Sequence, residues 1–381
     1  MKYISFLFLL LYPGALSSAS VHLRRSPDNG IQPQATSDSK GTVHLIYYKG
    51  EPKGGDIFYV RREAGRAEFS KPIAVNIHPH TAMALGTIRG AQLAAGKNGR
   101  IHVVWDGMGQ GVNALGPGAT EKHPLFYTRL NDAGTAFEPE RNVITYAYGL
   151  DGGSSVAADL EGNVYTVWHA PRPGTSNGEA GRAVFVARSR DEGKAFERET
   201  LATEEPTGAC GCCGLRAFVD KTASLYILYR GAASSGTRPE ILLISRNYGR
   251  DFSIGYKHDW EVSSCPMSSA WLSETDGSVL AAAETHGRVF FIQVDRKDGR
   301  TSSPICPEAK AKYPVALGNA RGEVLLVWAE NTAWDKGGDV AWQVYDSRGE
   351  PTAEKGRAEG LPAWSLPTAF TGQDGSFTIV Y

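Results

Sequence analysis

Short apolar strands separated by Gly-rich turns dominate this sequence, no long segment carries a helical period, and one turn-and-strand unit returns along the chain. Together these observations predict an all-β protein closed into a β-propeller. The unit is a turn containing Asp or Asn and Gly, then an alternating apolar strand that ends in an aromatic and a polar residue. It reads DSKGTVHLIYYK from Asp38, GKNGRIHVVWD from Gly96 and DLEGNVYTVWH from Asp159. It returns as DKTASLYILYR from Asp220, TDGSVLAAAE from Thr275 and ARGEVLLVWAE from Ala320, and QDGSFTIVY, Gln373 to Tyr381, closes the chain. Copies lie mostly about sixty residues apart, which suits one four-stranded antiparallel blade per copy.

The chain opens on an expected export signal. Lys2 supplies positive charge, Ile4 to Tyr12 forms a short apolar run, Pro13-Gly14 breaks it, and Ser17-Ser18-Ala19 offers small residues for cleavage. Residues 1–19 are read as a signal peptide and 20–381 as a single propeller domain, secreted or periplasmic and acting as a monomer. The apolar run is too short to span a bilayer as a helix, and no later stretch is apolar enough to do so. Lys and Arg number 40 against 41 Asp and Glu, so no net field attracts nucleic acid or an acidic membrane. Export puts the five cysteines in an oxidising compartment, where disulfides persist. An odd number leaves at least one of them unpaired, paired between chains, or bound to something else.

Between copies sits a second turn signal. SRDEGKAF (Ser189 to Phe196), LNDAGTAF (Leu130 to Phe137) and SRNYGRDF (Ser245 to Phe252) each follow an apolar strand, and EAGRAEF (Glu63 to Phe69) looks like a decayed copy. The Asp or Asn side chain can accept hydrogen bonds from the turn's own N–H groups, Gly supplies a left-handed conformation, and Phe anchors the next strand to the blade. These segments resemble the Asp-box, or BNR, repeats of the sialidase superfamily, S-x-D-x-G-x-x-[FW]. The copy at Ser189 matches in full, with Leu130 and Asn247 single departures in the others. The resemblance implies a sialidase-like propeller with the boxes on the face away from the site, so Asp132, Asp191 and Asn247 read as structural. It also implies six blades. Counting the recurring unit gives seven if the last copy begins a blade that the N-terminal strand near Val21 to Arg25 completes. Six blades are favoured, with seven the alternative.

In such a ring, residues just after each second strand and just before each inner strand surround one central mouth. The second strands contribute Lys49, Asp106, His169, Arg230, Glu284 and Glu330. The inner-strand starts contribute Gln32, Arg89, Asp151, the ACGCCG segment with Arg216, and Cys265 with Met267. Ionisable groups at equivalent positions predict a polar, mixed-charge funnel suited to a ligand. The sialidase resemblance implies an arginine triad for a substrate carboxylate, a Tyr–Glu nucleophile and an Asp acid/base. Where the first arginine belongs this chain has Ile31-Gln32-Pro33, and where the tyrosine belongs it has Leu366-Pro367-Thr368. Authentic sialic-acid release is therefore not expected. If the protein is an enzyme, it is a glycoside hydrolase of exo-sialidase-like type. Hydrolysis would need one protonated and one ionised carboxyl, with Asp106, Asp151 and Glu284 as candidates. Arg89, Arg216, Arg230 and His169 are the candidate ligand-binding groups for a glycan or small acidic ligand.

Four of the five cysteines lie in CGCC, at Cys210, Cys212 and Cys213, and in Cys265-Pro266-Met267. Both segments precede inner strands of consecutive blades and are neighbours across the mouth. One reading is a disulfide stapling two blades, Cys265 with one of the three and Cys213–Cys265 as the named pair. A Cys212–Cys213 bond would strain the backbone. A second reading is a soft-metal site in which Cys210, Cys212, Cys213, Cys265 and Met267 hold Cu or Zn. A third is a catalytic thiol with His169 as base. The expected function is glycan-directed hydrolysis or binding at the mouth. The alternative is a non-enzymatic module whose cysteine-rich mouth binds a metal or a protein partner.

Overall fold

The computed structural model describes residues 19–115, 123–175, 177–307 and 310–381. The expected signal peptide, apart from Ala19, lies outside the described residues. Among the described residues there is no α-helix, and the strands form seven sheets. The inner strands are Ile31–Ser37, Gln92–Ala95, Ser154–Ala158, Arg216–Val219, Trp271–Glu274, Lys312–Gly318 and Thr368–Thr371, defining blades 1 to 7. Each touches the next, and the seventh touches the first, so the ring is closed.

The molecule therefore has seven blades, not the six that the family resemblance suggested. The recurring unit is the second strand of a blade with the turn before it, and each of its copies needs a sheet of its own. The last copy, Phe377–Val380, pairs with the inner strand Thr368–Thr371 on one side and with Val21–Arg24 on the other. That N-terminal strand runs parallel to its neighbour, Val21 opposite Phe377 and Arg24 opposite Val380. Backbone bonds from Phe377 N–H to Ser20 C=O and from Ser26 N–H to Tyr381 C=O lock the two ends together.

The core lies between blades. Second strands such as Ile101–Asp106 and Leu225–Arg230 are buried along their whole length, because a neighbouring blade covers each face. Val167 and Val186 of blade 3 pack with Ile227 and Ile241 of blade 4 in one cluster. The turns before these strands are held as their composition requires. The Asp159 carboxylate accepts the N–H groups of Glu161, Gly162 and Asn163 at 2.8–3.0 Å, and Asp220 and Asn319 do the same in their blades.

The second turn signal joins third to fourth strands, on the face opposite the starts of the inner strands. In two copies Asp191 and Asn247 accept the N–H four residues on, from Ala195 and Asp251, each at 3.0 Å. Ser189 and Ser245 each accept a glycine N–H at 2.9 Å. In the third copy the acceptor is Asn131, which takes the Thr135 N–H at 3.0 Å, while Asp132 points outward to Arg100. The phenylalanines act differently from the expectation. Phe196 meets Tyr127 edge-on at 4.8 Å, Phe137 meets Tyr59 at 5.5 Å and Phe69 meets Phe370 at 6.4 Å. Each partner belongs to the preceding blade, so the box aromatic fastens blade to blade, and Phe69 does so across the ring closure.

Candidate functional site

Residues before the inner strands and after the second strands share one face, and the structure places them there at very different depths. Gln32 and Tyr313 each stand before a proline in a left-handed conformation, with φ 52° and 55°. A register shift follows each of them at the start of its inner strand. The Gln32 amide donates to the carbonyls of Ala84 and Trp364, both at 2.7 Å. The residue at the expected arginine position is thus a buried clamp between two mouth loops.

Arg216 does not face the mouth. It lies inside the channel, its guanidinium bonded to the side-chain carbonyls of Gln34, at 2.7 Å, and Gln92. Its charge sits 4.1 Å over the Trp271 ring. Among the described residues no carboxylate pairs with it, and burial pulls its pKa down to about 9. The adjoining cavity of about 20 Å³ has room for one water. Arg216 plugs the axis and is not available to a ligand.

The wall between blades 2 and 3 holds two of the candidate carboxyls in different surroundings. Asp106 ends its strand 1% exposed, with neither oxygen hydrogen-bonded. Burial raises its pKa well above the usual carboxylate value, with nearby Asp151 adding to the shift and Arg89 and Arg182 opposing it. Asp151 is open to solvent and takes the Arg89 guanidinium at 2.7 Å, while Arg89 also donates to the Asp151 carbonyl at 2.8 Å. His169 is fully committed. Its Nδ1 accepts from Arg182 at 3.0 Å and its Nε2 donates to the Cys213 carbonyl at 3.3 Å. Burial, with Arg182 beside it, pushes the imidazole down to about 3. It reaches the Cys213 backbone and not the sulfur, so the catalytic-thiol pairing has no geometry here.

Between blades 4 and 6 the polar groups are likewise paired inward. Arg230 meets Glu240 at 2.8 Å with both side chains buried, donates to the Glu284 carbonyl, and lies 4.9 Å from the Trp260 ring. The Glu284 carboxylate sits 3.5 Å from Lys312, which donates to the Pro266 carbonyl at 2.6 Å. Burial outweighs the Lys312 and Arg230 charges and holds Glu284 up to about 7. Burial pushes the Tyr313 phenol up to about 12, with a Thr87 hydrogen bond opposing and Glu284 adding to the rise. A tyrosine at the start of blade 6, and not at Leu366-Pro367, thus feels the charge of a glutamate, and both are buried. The X-Pro signal shared by Gln32-Pro33 and Tyr313-Pro314 could have located this tyrosine.

Cys265 is bonded to Cys212, not to Cys213. Cys210 and Cys213 are free and buried, and Cys306 is free and exposed on another loop. Cys210 and Cys212 sulfurs lie 3.3 Å apart, and the three sulfurs of the CGCC segment fall within 4.8 Å of one another. Burial works against ionisation of Cys213, but Cys210, the Arg230 charge and Ser268 outweigh it and hold its pKa below the ordinary thiol value. Gly211 lies against the wall: a Cβ there would come within 2.9 Å of the Asp151 carboxylate. The cysteine loop and the Arg89–Asp151 pair are therefore in contact.

The sequence reading missed two tryptophans. Trp334, 46% exposed, lies between the second and third strands of blade 6, and Trp364 precedes the inner strand of blade 7. They meet edge-on with ring centroids 5.3 Å apart. Gly86 joins them to the carboxylate wall, since a Cβ there would lie 2.6 Å from the Arg89 guanidinium and 3.2 Å from the Trp334 ring. This aromatic shelf beside Arg89 and Asp151 is an exposed part of the mouth.

No family model and no curated protein sequence matches the chain. Solved structures do match it. An alpha-L-arabinanase of Penicillium chrysogenum, complexed with arabinobiose, aligns at 12% identity over 88% of this chain and 99% of that one, with a TM-score of 0.53. An alpha-L-arabinofuranosidase of Fusarium graminearum, also with arabinobiose, aligns at 12% identity over 90% and 98%, with a TM-score of 0.51. A Hadza microbial sialidase aligns at 14% identity over 82% and 68%, with a TM-score of 0.49. At these identities the likeness is one of fold, a β-propeller.

Proposed function

We propose that the protein is an exported, glycan-directed propeller that holds a saccharide at its mouth, between the Trp334–Trp364 shelf and the Arg89–Asp151 pair. The observation that carries this reading is the shelf itself. A large aromatic left half-exposed on the ligand face, beside a few fixed polar groups, is what binding clefts present. The solved propellers with arabinobiose bound support the same class of ligand. If the site also hydrolyses, Asp106 and Asp151 are the pair suited to it: burial raises the Asp106 carboxyl well above its usual value, and Asp151 takes the Arg89 guanidinium at 2.7 Å. Asp106 is occluded, so binding is the primary reading and hydrolysis would require this wall to open.

The test is a glycan array followed by a panel of aryl glycosides, with Trp334→Ala and Asp151→Asn as variants. Saccharide binding that falls about five- to tenfold in Trp334→Ala is expected, roughly the loss of one stacking contact of 1–1.5 kcal/mol. Binding indifferent to both variants, or no saccharide bound at all, would overturn the reading.

A further inference from the structure

The structure assigns a second site, independent of the saccharide reading: when the Cys212–Cys265 disulfide is reduced, Cys210, Cys212 and Cys213 form a three-thiolate site for one Cu(I) ion. Their sulfurs already lie within 4.8 Å of one another. Metal–thiolate bonds near 2.3 Å place three trigonal sulfurs roughly 4 Å apart, so the sulfurs need to move little. Soft thiolates select Cu(I) or Zn; a structural zinc site uses four protein ligands, whereas the sulfurs that lie together number three, and Cys265, which the same reduction frees, is not among them.

The loop that carries them is held from several directions. Cys210 N–H donates to the Arg230 carbonyl at 2.9 Å, Gly211 N–H to the Glu179 carboxylate at 2.8 Å, and Gly214 N–H to the Ser268 carbonyl at 2.9 Å. Such outer contacts fix ligand orientation in metal sites. Three thiolates around a monovalent ion leave net negative charge, and two arginines stand beside the loop: Arg230, whose carbonyl takes the Cys210 N–H, and Arg182, which bonds His169 where that ring meets the Cys213 carbonyl. Cys210 and Cys213 are buried while Cys212 is partly open, which leaves an approach for the ion through Cys212.

The disulfide makes the site conditional. A dithiol reductant breaks the Cys212–Cys265 S–S bond and is itself oxidised to a disulfide, its two electrons and two protons passing to the two sulfurs. Metal uptake then displaces the thiol protons and transfers no electron. While the bond is intact, only Cys210 and Cys213 are free in the cluster.

The experiment is anaerobic competition for Cu(I) against bicinchoninate, in a Cys306→Ser background that removes the exposed thiol, with near-ultraviolet circular dichroism to verify folding. The reduced protein is expected to take one Cu(I) per chain and develop thiolate-to-copper absorption, whereas the oxidised protein takes none under the same conditions. Cys265→Ala should bind one Cu(I) without prior reduction. Cys213→Ser should lose more than the roughly 10–100-fold that an outer-shell loss costs. If Cys213→Ser does not fold, the reduced protein and Cys265→Ala decide between them. Failure of both to compete would overturn the proposal, as would a folded Cys213→Ser that binds normally. Zinc uptake by the reduced protein that Cys265→Ala abolishes would replace it with a four-thiolate zinc site.

Discussion

At the scale of single residues, most of the ionisable groups around the mouth are paired inward, because a charge removed from water must find a partner or become neutral. Glu284 shows the consequence. Its folded-state pKa of about 7 lies above its ordinary value of 4.5. The folded protein therefore holds this proton more tightly than the unfolded chain does. Its stabilising contribution is present below about pH 4.5 and is lost as pH rises towards 7, by up to about 3 kcal/mol. His169, held down to about 3, contributes stability that rises with pH over the same window, so the check is the difference between wild type and Glu284→Gln in chemical denaturation, which should fall as pH rises. A difference that stays constant across the window would place the titration elsewhere. Gln32 makes a second prediction. Its amide is spent on two backbone carbonyls, and no guanidinium stands there to grip a carboxylate. A fluorogenic sialoside should not be turned over, and robust hydrolysis abolished by Arg89→Ala would show that another arginine has taken the role.

The secondary-structure elements carry their own instructions in their turns. Asp191 closes its turn by accepting the Ala195 N–H, so Asp191→Ala should cost about 1 kcal/mol, comparable to losing a helix cap, with ligand binding untouched. Asp132 occupies the matching place in the sequence, yet Asn131 makes the equivalent bond. Asp132→Ala should accordingly leave the melting temperature close to wild type, since exposed ion pairs contribute little. Equal losses in both variants would refute the distinction. The one-residue difference was not readable beforehand, because Asn and Asp are equally able to accept in such a turn and both are present.

For the whole molecule, closure is the governing constraint. The parallel seam between Val21–Arg24 and Phe377–Val380 and the Cys212–Cys265 bond both tie together segments distant in the chain. The disulfide spans a separation of 53 residues, and in the chain-entropy model a loop of that size stabilises by roughly 4 kcal/mol. Reduction should lower the melting temperature by several degrees while far-ultraviolet dichroism at 25 °C keeps its β signature. A reduced protein with an unchanged melting temperature would mean that the ring needs no staple.

The sequence by itself determined the all-β ring, the polarity of its strands and the meeting of the two cysteine segments. Each recurring unit carries both a turn that Asp or Asn can close and a strand apolar enough to be buried on two faces. Its copies number the blades, and the resemblance that favoured six pulled against that count. Depth was decided only by the tertiary structure. Two-residue alternation says which face of a strand a side chain takes, not how far down the channel it sits. Arg216 could therefore be placed on an inner strand but not against Trp271, Gln34 and Gln92. Contacts between loops of different blades follow no local rule at all. The choice of Cys212 over Cys213, the burial of Asp106 and the meeting of Trp334 with Trp364 arise where segments far apart in sequence converge on one mouth.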